Sequence, residues 1–63
     1  MAKKYIILFN PHDDEYKMFE YVDGRKLYAP NYGCCISNGK TREECFESAH
    51  QMFNIQKDEV IPW

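Results

Sequence analysis

The sequence predicts a small α+β domain, in which one helix packs against a small antiparallel sheet of three to four strands in the order β-β-β-α-β. Three observations lead to this fold class. A short β-branched run stands near the start, an aromatic run follows a polar turn, and a helix-capping pattern precedes an amphipathic stretch. Because 63 residues suffice for only one hydrophobic core, we expect residues 1–63 to form a single domain.

The first half of the chain has the pattern of two strands joined by a turn. Residues 5–9 read YIILF, a run too short for a helix and rich in residue types that favour strands. An Asn-Pro dipeptide ends this run, so we predict strand 1 near residues 3–10. Residues 12–15 are polar and predict a turn, and the aromatic run YKMFEYV at residues 16–22 predicts strand 2.

The middle of the chain predicts a hairpin followed by an irregular crossing. Asp23-Gly24 suits a type I′ turn, because both residue types tolerate the positive φ angles that this turn requires. A third strand would then begin at residues 25–28. Proline has no backbone N–H to donate to a sheet, so residues 29–33 are expected to be irregular. Residues 34–37 could form a further short strand, which accounts for the range of three to four.

A helix is predicted in the second half, from Arg42 to about Asn54. Thr41 would cap its N-terminus, and Glu44 would accept a hydrogen bond from the Thr41 backbone N–H, as in a capping box. Apolar residues then recur at helical spacing and would pack on the sheet as one stripe. These residues are Cys45, Ala49, Met52 and Phe53. A short last strand is predicted at residues 59–61.

Composition and charge favour a protein partner over a nucleic acid. The chain carries 8 basic and 10 acidic residues, a net charge of -2, and no clustered basic face, so we expect a basic protein partner. Aromatic residues make up 16%, more than so short a chain can bury, which favours a homodimer or larger oligomer, or a protein-binding face. The candidate partner-binding residues are Tyr16, Phe19, Tyr21, Tyr28, Tyr32, Glu20 and Asp23. A nucleic-acid-binding module built from a three-stranded sheet and a helix is the alternative.

The chain carries no pattern typical of a membrane or secreted protein. No apolar run approaches the roughly 20 residues that a membrane span needs, and the apolar run near the start is too short for a signal peptide. Three cysteines, two of them adjacent, make a poor disulfide framework. We therefore expect a soluble, cytoplasmic protein with reduced thiols.

The cysteines, the histidines and the acidic turn are more typical of structural residues than of a chemical site. Cys34, Cys35, Cys45 and His50 could be proposed as zinc ligands, but adjacent cysteines in a strand point to opposite faces and the other two diverge around a helix. A nucleophilic Cys45–His50 pair is disfavoured because a thiol on the core stripe is inert. The acidic turn at residues 12–15 would face water. We expect no catalytic set, no metal and no cofactor.

One segment resembles a known family. Residues 29–45, with Ala49 after them, are similar to the signature of HicB-type antitoxins. The positions in register are Pro30, Cys35, Ser37, Gly39, Thr41, Glu43, Glu44 and Ala49. The chain departs from the pattern at Asn31, Cys34 and Cys45, where the family usually has Asp, Gly and Ala. Residues 20–27 look like an insertion that lengthens the second and third strands.

The resemblance implies a partial RNase H-like β-β-β-α-β unit without catalytic carboxylates. It implies a non-enzymatic inhibitor that neutralises a small basic RNA-cleaving toxin by covering its active site, and that self-associates. A phage-borne inhibitor of a host or defence protein would act in the same way. The family commonly carries a C-terminal DNA-binding segment, for which a chain ending at Trp63 leaves no room, so operator binding is not expected.

Overall fold

A computed structural model of the protein describes residues 3–63 and has a three-stranded antiparallel sheet packed by one α-helix. The strands are β1 (Tyr5–Asn10), β2 (Glu15–Glu20) and β3 (Ser37–Gly39), and the sheet order is β1-β2-β3. The helix α1 spans Arg42–Phe53. The α+β class, the antiparallel sheet and the single helix are therefore confirmed.

β1 and β2 form a hairpin close to the positions predicted. The register sets Tyr5 opposite Glu20 and Asn10 opposite Glu15. The turn between the strands contains Asp14 with a φ of 54°, a left-handed conformation that Asp tolerates better than most residues. The Asn10 side chain accepts a hydrogen bond from the His12 backbone N–H at 2.9 Å, which orders the start of the turn.

The alternation of side chains along β1 and β2 gives the sheet two apolar faces. Ile7 pairs with Met18 on the face that α1 covers, and Ile6 pairs with Phe19 on the opposite face. The helix-side core is a cluster of buried side chains: Ile7, Met18, Cys45, Ala49, Ile55 and Val60. Because both faces are apolar, both need a cover, and the protein has three layers.

The second face is covered by a 3₁₀ helix, Ala29–Tyr32. Ala29 is 1% exposed, and the Tyr32 ring lies 5.4 Å from the Phe19 ring between centroids. Phe19 and Tyr32 are 1% and 9% exposed, so the prediction that they lie on a partner-binding surface is wrong for these two residues. The physical reason is that the chain after β2 folds back over the sheet and buries them as a second core.

The predicted third strand at residues 25–28 is not formed. The Arg25 backbone N–H donates to the Val22 carbonyl at 3.1 Å, which closes a turn around Asp23 and Gly24. Gly24 has a φ of 83°, whereas Asp23 does not have a positive φ, so the pattern is that of a type II turn rather than type I′. A type II turn splays flanking strands, and the third strand of the sheet is formed later, by β3.

The N-terminus of α1 is capped almost as predicted. The Thr41 hydroxyl accepts a hydrogen bond from the Glu44 backbone N–H at 3.1 Å. The Glu44 carboxylate accepts from the Lys40 backbone N–H at 3.3 Å, one residue earlier than the predicted Thr41. At the other end, Asn54 adopts a left-handed φ of 57° and donates its N–H to the His50 carbonyl at 2.9 Å, which ends the helix.

The predicted apolar stripe of α1 is buried only along its first part. Cys45 and Ala49 are fully buried, but Met52 and Phe53 are each 59% exposed, so the expectation that all four pack in the core is wrong for the last two. β3 pairs with β2 no further than Met18. The last turn of α1 therefore has no third strand beneath it.

The chain after α1 returns to β1. A 3₁₀ turn, Lys57–Glu59, is followed by an isolated parallel bridge between Val60 and Tyr5, and Ile61 donates its N–H to the Tyr5 carbonyl at 2.8 Å. The predicted last strand is thus reduced to one bridge. Pro62 has no backbone N–H, so it cannot extend the ladder as a donor.

Candidate functional site

A groove of about 470 Å³ opens at one end of the sheet. We call it the sheet-end groove, and it lies where β1 begins, β2 ends and α1 ends. Its lining includes the apolar side chains of Tyr5, Ile36, Phe53 and Ile55 and the two residues Cys34 and Cys35. The groove therefore has an apolar wall and two cysteine side chains.

An ion pair stands among the residues that line the groove. The Lys3 ammonium lies 3.7 Å from the Glu20 carboxylate, and both side chains are more than half exposed. Such exposed pairs contribute little to stability, about 0–1 kcal/mol. Breaking this ion pair would therefore cost little free energy, so either charge can interact with a ligand or partner.

The three cysteines are free thiols in two different environments. Cys34 and Cys35 are exposed and both line the sheet-end groove, whereas Cys45 is buried. Residues 34–35 lie outside β3, so the expectation that a strand directs these side chains to opposite faces does not apply. Within residues 3–63, no group of three or more His, Cys, Asp and Glu side chains has an arrangement that could hold a metal ion.

Cys45 and His50 have separate partners. The Ser37 hydroxyl donates to the Cys45 carbonyl at 2.8 Å and lies 3.6 Å from its sulfur, and burial raises the pKa of the Cys45 thiol. His50 is half-buried, with Nδ1 at 3.0 Å from the Ile55 carbonyl and its ring stacked on Phe46. Cys45 is therefore a protonated core thiol, and His50 fixes the end of α1.

Lys17 forms ion pairs with two carboxylates of the acidic turn after β1. The Lys17 ammonium lies 3.0 Å from the Asp13 carboxylate and 3.6 Å from the Glu15 carboxylate. The hydrogen bond to Asp13 is the main cause that raises the pKa of Lys17, whose side chain is 13% exposed. Asp13 and Glu15 therefore pair with Lys17, whereas the sequence predicts that these carboxylates face only water.

The remaining predicted partner-binding residues are dispersed over the surface. Tyr16 and Tyr21 are half-buried, and Glu20, Asp23 and Tyr28 are exposed. The Tyr21 hydroxyl donates to the Asp23 carboxylate at 3.4 Å, and the Tyr16 ring lies against Phe9 and under the Arg42 guanidinium. Of the predicted set, Glu20 lines the sheet-end groove.

The most exposed apolar side chains were not predicted as contact residues. Leu27, Met52 and Phe53 are each 59% exposed. Phe53 lines the sheet-end groove, and Met52 precedes it in α1. The sequence carries no local signal for this exposure, because the apolar pattern along α1 does not show what packs against its last turn.

Searches against protein-family models, curated proteins and solved structures returned no match. Within residues 3–63, neither the length nor the apolar character of any helix is sufficient to cross a membrane.

Proposed function

We propose that the protein is a small non-enzymatic inhibitor, HicB-like, that neutralises a partner protein by stoichiometric binding. The observation that carries this proposal is the apolar rim of the sheet-end groove. Phe53, which lines the groove, and Met52, the residue before it in α1, each expose more than half of their surface. Apolar side chains grouped beside a concave surface are typical of protein-interaction sites.

The topology supports the HicB-like part of the proposal. Three antiparallel strands are followed by one helix, after which Val60 returns parallel to Tyr5. This bridge lies where the β-β-β-α-β order of a partial RNase H-like unit would have its last strand, which supports the proposed resemblance. The long excursion between β2 and β3 corresponds to the segment in which the chain departs from the family pattern.

The charge of the protein supports a basic partner. The net charge is -2, and Glu20 places a carboxylate in the groove itself. The first turn of α1 adds the exposed Glu43 and Glu44. Complementary charge speeds encounter and orients a partner, and a small RNA-cleaving toxin or a host or defence protein with a basic face would be recognised in this way.

We also propose that the protein acts in the cytoplasm and that it forms a homodimer. Three free thiols fit the reducing cytoplasm, where disulfides are rare. Self-association as a homodimer would cover part of the exposed apolar surface that a chain of 63 residues cannot bury alone.

Co-expression with a toxin tests the proposal. The toxin would be the product of a short reading frame of basic composition beside this gene, and its toxicity would be measured as arrest of growth. We expect the protein to restore growth and to co-purify with the toxin in a fixed ratio. Phe53→Lys should abolish both, because it places a positive charge in the apolar contact with a basic partner.

The matched control is Phe9→Lys. Phe9 is a comparably exposed aromatic residue, 45% against 59%, and its strand position is at the opposite end of β1 from the groove. Growth rescue that survives Phe53→Lys, or that Phe9→Lys abolishes equally, would contradict the assignment of the contact to the sheet-end groove. A toxin that is not neutralised at all would contradict the proposed function.

A further inference from the structure

The sheet-end groove holds a pair of thiols that neither the fold nor the proposed inhibitor function uses. Cys34 and Cys35 are consecutive, free and exposed, and both line the groove. Consecutive Cα atoms are about 3.8 Å apart, so both sulfurs can reach one atom when the backbone does not direct them to opposite sides. Here the backbone is irregular, because Gly33 has a φ of 76° and β3 begins only at Ser37.

We propose that Cys34 and Cys35 form a dithiol site that captures a trivalent thiophilic centre carrying an apolar substituent, of which an aryl arsenical is the simplest example. The pair is poorly suited to an internal disulfide, because that bond needs a geometry that adjacent residues reach only under strain. Bridging by a third atom relieves that constraint, since the two sulfurs are then held apart by the atom between them.

The surroundings of the thiols match such a ligand. Tyr5, Phe53 and Ile55 line the same groove and offer an apolar wall to an aromatic substituent. Soft thiolate ligands select soft centres over the hard cations that oxygen ligands bind. A two-thiol site also leaves the third position of a trivalent centre for its organic group, so no third protein ligand is required.

The capture is a condensation and needs no oxidant or reductant. Two S–H bonds and the arsenic–oxygen double bond of an arsine oxide break, and two arsenic–sulfur bonds form. The oxygen takes both protons and leaves as one water molecule, while arsenic stays trivalent and keeps its bond to carbon.

Phenylarsine oxide is the probe that tests the site. The folded wild-type protein should gain the mass of one phenylarsine oxide less one water, and the adduct should persist in excess monothiol. Cys34→Ser and Cys35→Ser should each weaken retention by roughly 10²-fold, the lower end of the gain from two linked attachments. Cys45→Ala should retain the adduct, because that thiol is buried in the core.

Two further measurements on the wild-type protein test the proposal. In the wild-type protein, prior addition of phenylarsine oxide should protect both Cys34 and Cys35 from iodoacetamide, which requires no variant to fold. Inorganic arsenite should bind more weakly than phenylarsine oxide if the apolar wall contributes. Equal retention by either serine variant, or full alkylation of both thiols after the arsenical is added, would overturn the proposal. Neither result depends on the proposed inhibitor function.

Discussion

Gly39 is the position at which the packing of helix on sheet can be tested most sharply. It is the last residue of β3 and pairs with Tyr16. A β-carbon at this position would lie 2.5 Å from the Cys45 backbone nitrogen and 2.8 Å from the Glu44 carbonyl carbon. Since these are backbone atoms of the first turn of α1, no side-chain rotation can relieve the overlap in Gly39→Ala.

The size of the effect follows from this geometry. Inserting atoms into a packed site costs typically about 1–3 kcal/mol, and a backbone obstacle places Gly39→Ala near the upper end, about 3 kcal/mol. Small domains are stable by roughly 0.05–0.15 kcal/mol per residue. For a chain of 63 residues, the loss would be a large part of the total free energy of unfolding.

Urea unfolding followed by circular dichroism measures this loss. Gly24→Ala is the matched control, because a β-carbon there meets no atom within 4 Å and only the φ of 83° is unfavourable. That strain costs about 1 kcal/mol. If no atom obstructed the β-carbon at Gly39, Gly39→Ala would instead stabilise the protein by about 0.4–1 kcal/mol. The close-packing argument would be refuted if Gly39→Ala were as stable as the wild-type protein, or more stable.

Further predictions concern the core thiol and its neighbours. Ser37→Ala removes the buried hydrogen bond to the Cys45 carbonyl and should lower the free energy of unfolding by about 1–2 kcal/mol, measured in urea; an unchanged value would contradict that role. Cys34 and Cys35 should react with a disulfide reagent in the folded protein and Cys45 only after unfolding, and a rapid third equivalent would contradict the buried assignment. Burial raises the pKa of the Cys45 thiol above its ordinary value of 9.0. The thiol therefore contributes its full stabilisation below pH 9.0, and this stabilisation is lost as pH rises through the folded-state pKa. The stability difference between wild-type protein and Cys45→Ala should therefore shrink above 9.0, and a constant difference would contradict it.

Elements with strong local signals could be predicted from the sequence. β1 and β2 followed from β-branched and aromatic runs on either side of a polar turn, and the start of α1 followed from the cap at Thr41. The failed strand at residues 25–28 depended on the turn type at Asp23-Gly24. That dipeptide is compatible with more than one turn, and the fold-back of the chain decided between them.

The candidate site could be predicted less well, because burial depends on what covers each face. Phe19 and Tyr32 carry the same aromatic character as Tyr28. Tyr32, in the 3₁₀ helix after β2, packs on Phe19 and both are buried, whereas Tyr28 is exposed. Phe53 lies on the predicted stripe of α1, yet it is exposed at the end of the helix. These are long-range effects, and a pattern read along one element does not contain them.

Titration of a candidate toxin's RNase activity with the protein is the measurement that tests the proposed inhibitor function most directly. A small basic RNase chosen as the candidate toxin would be purified and mixed with increasing amounts of the protein, and cleavage of a labelled RNA would be followed. Stoichiometric inhibition predicts a linear fall in activity that reaches its minimum at a fixed molar ratio, with Phe53→Lys leaving the activity unchanged. Activity that persists at a large molar excess of the wild-type protein would contradict the account.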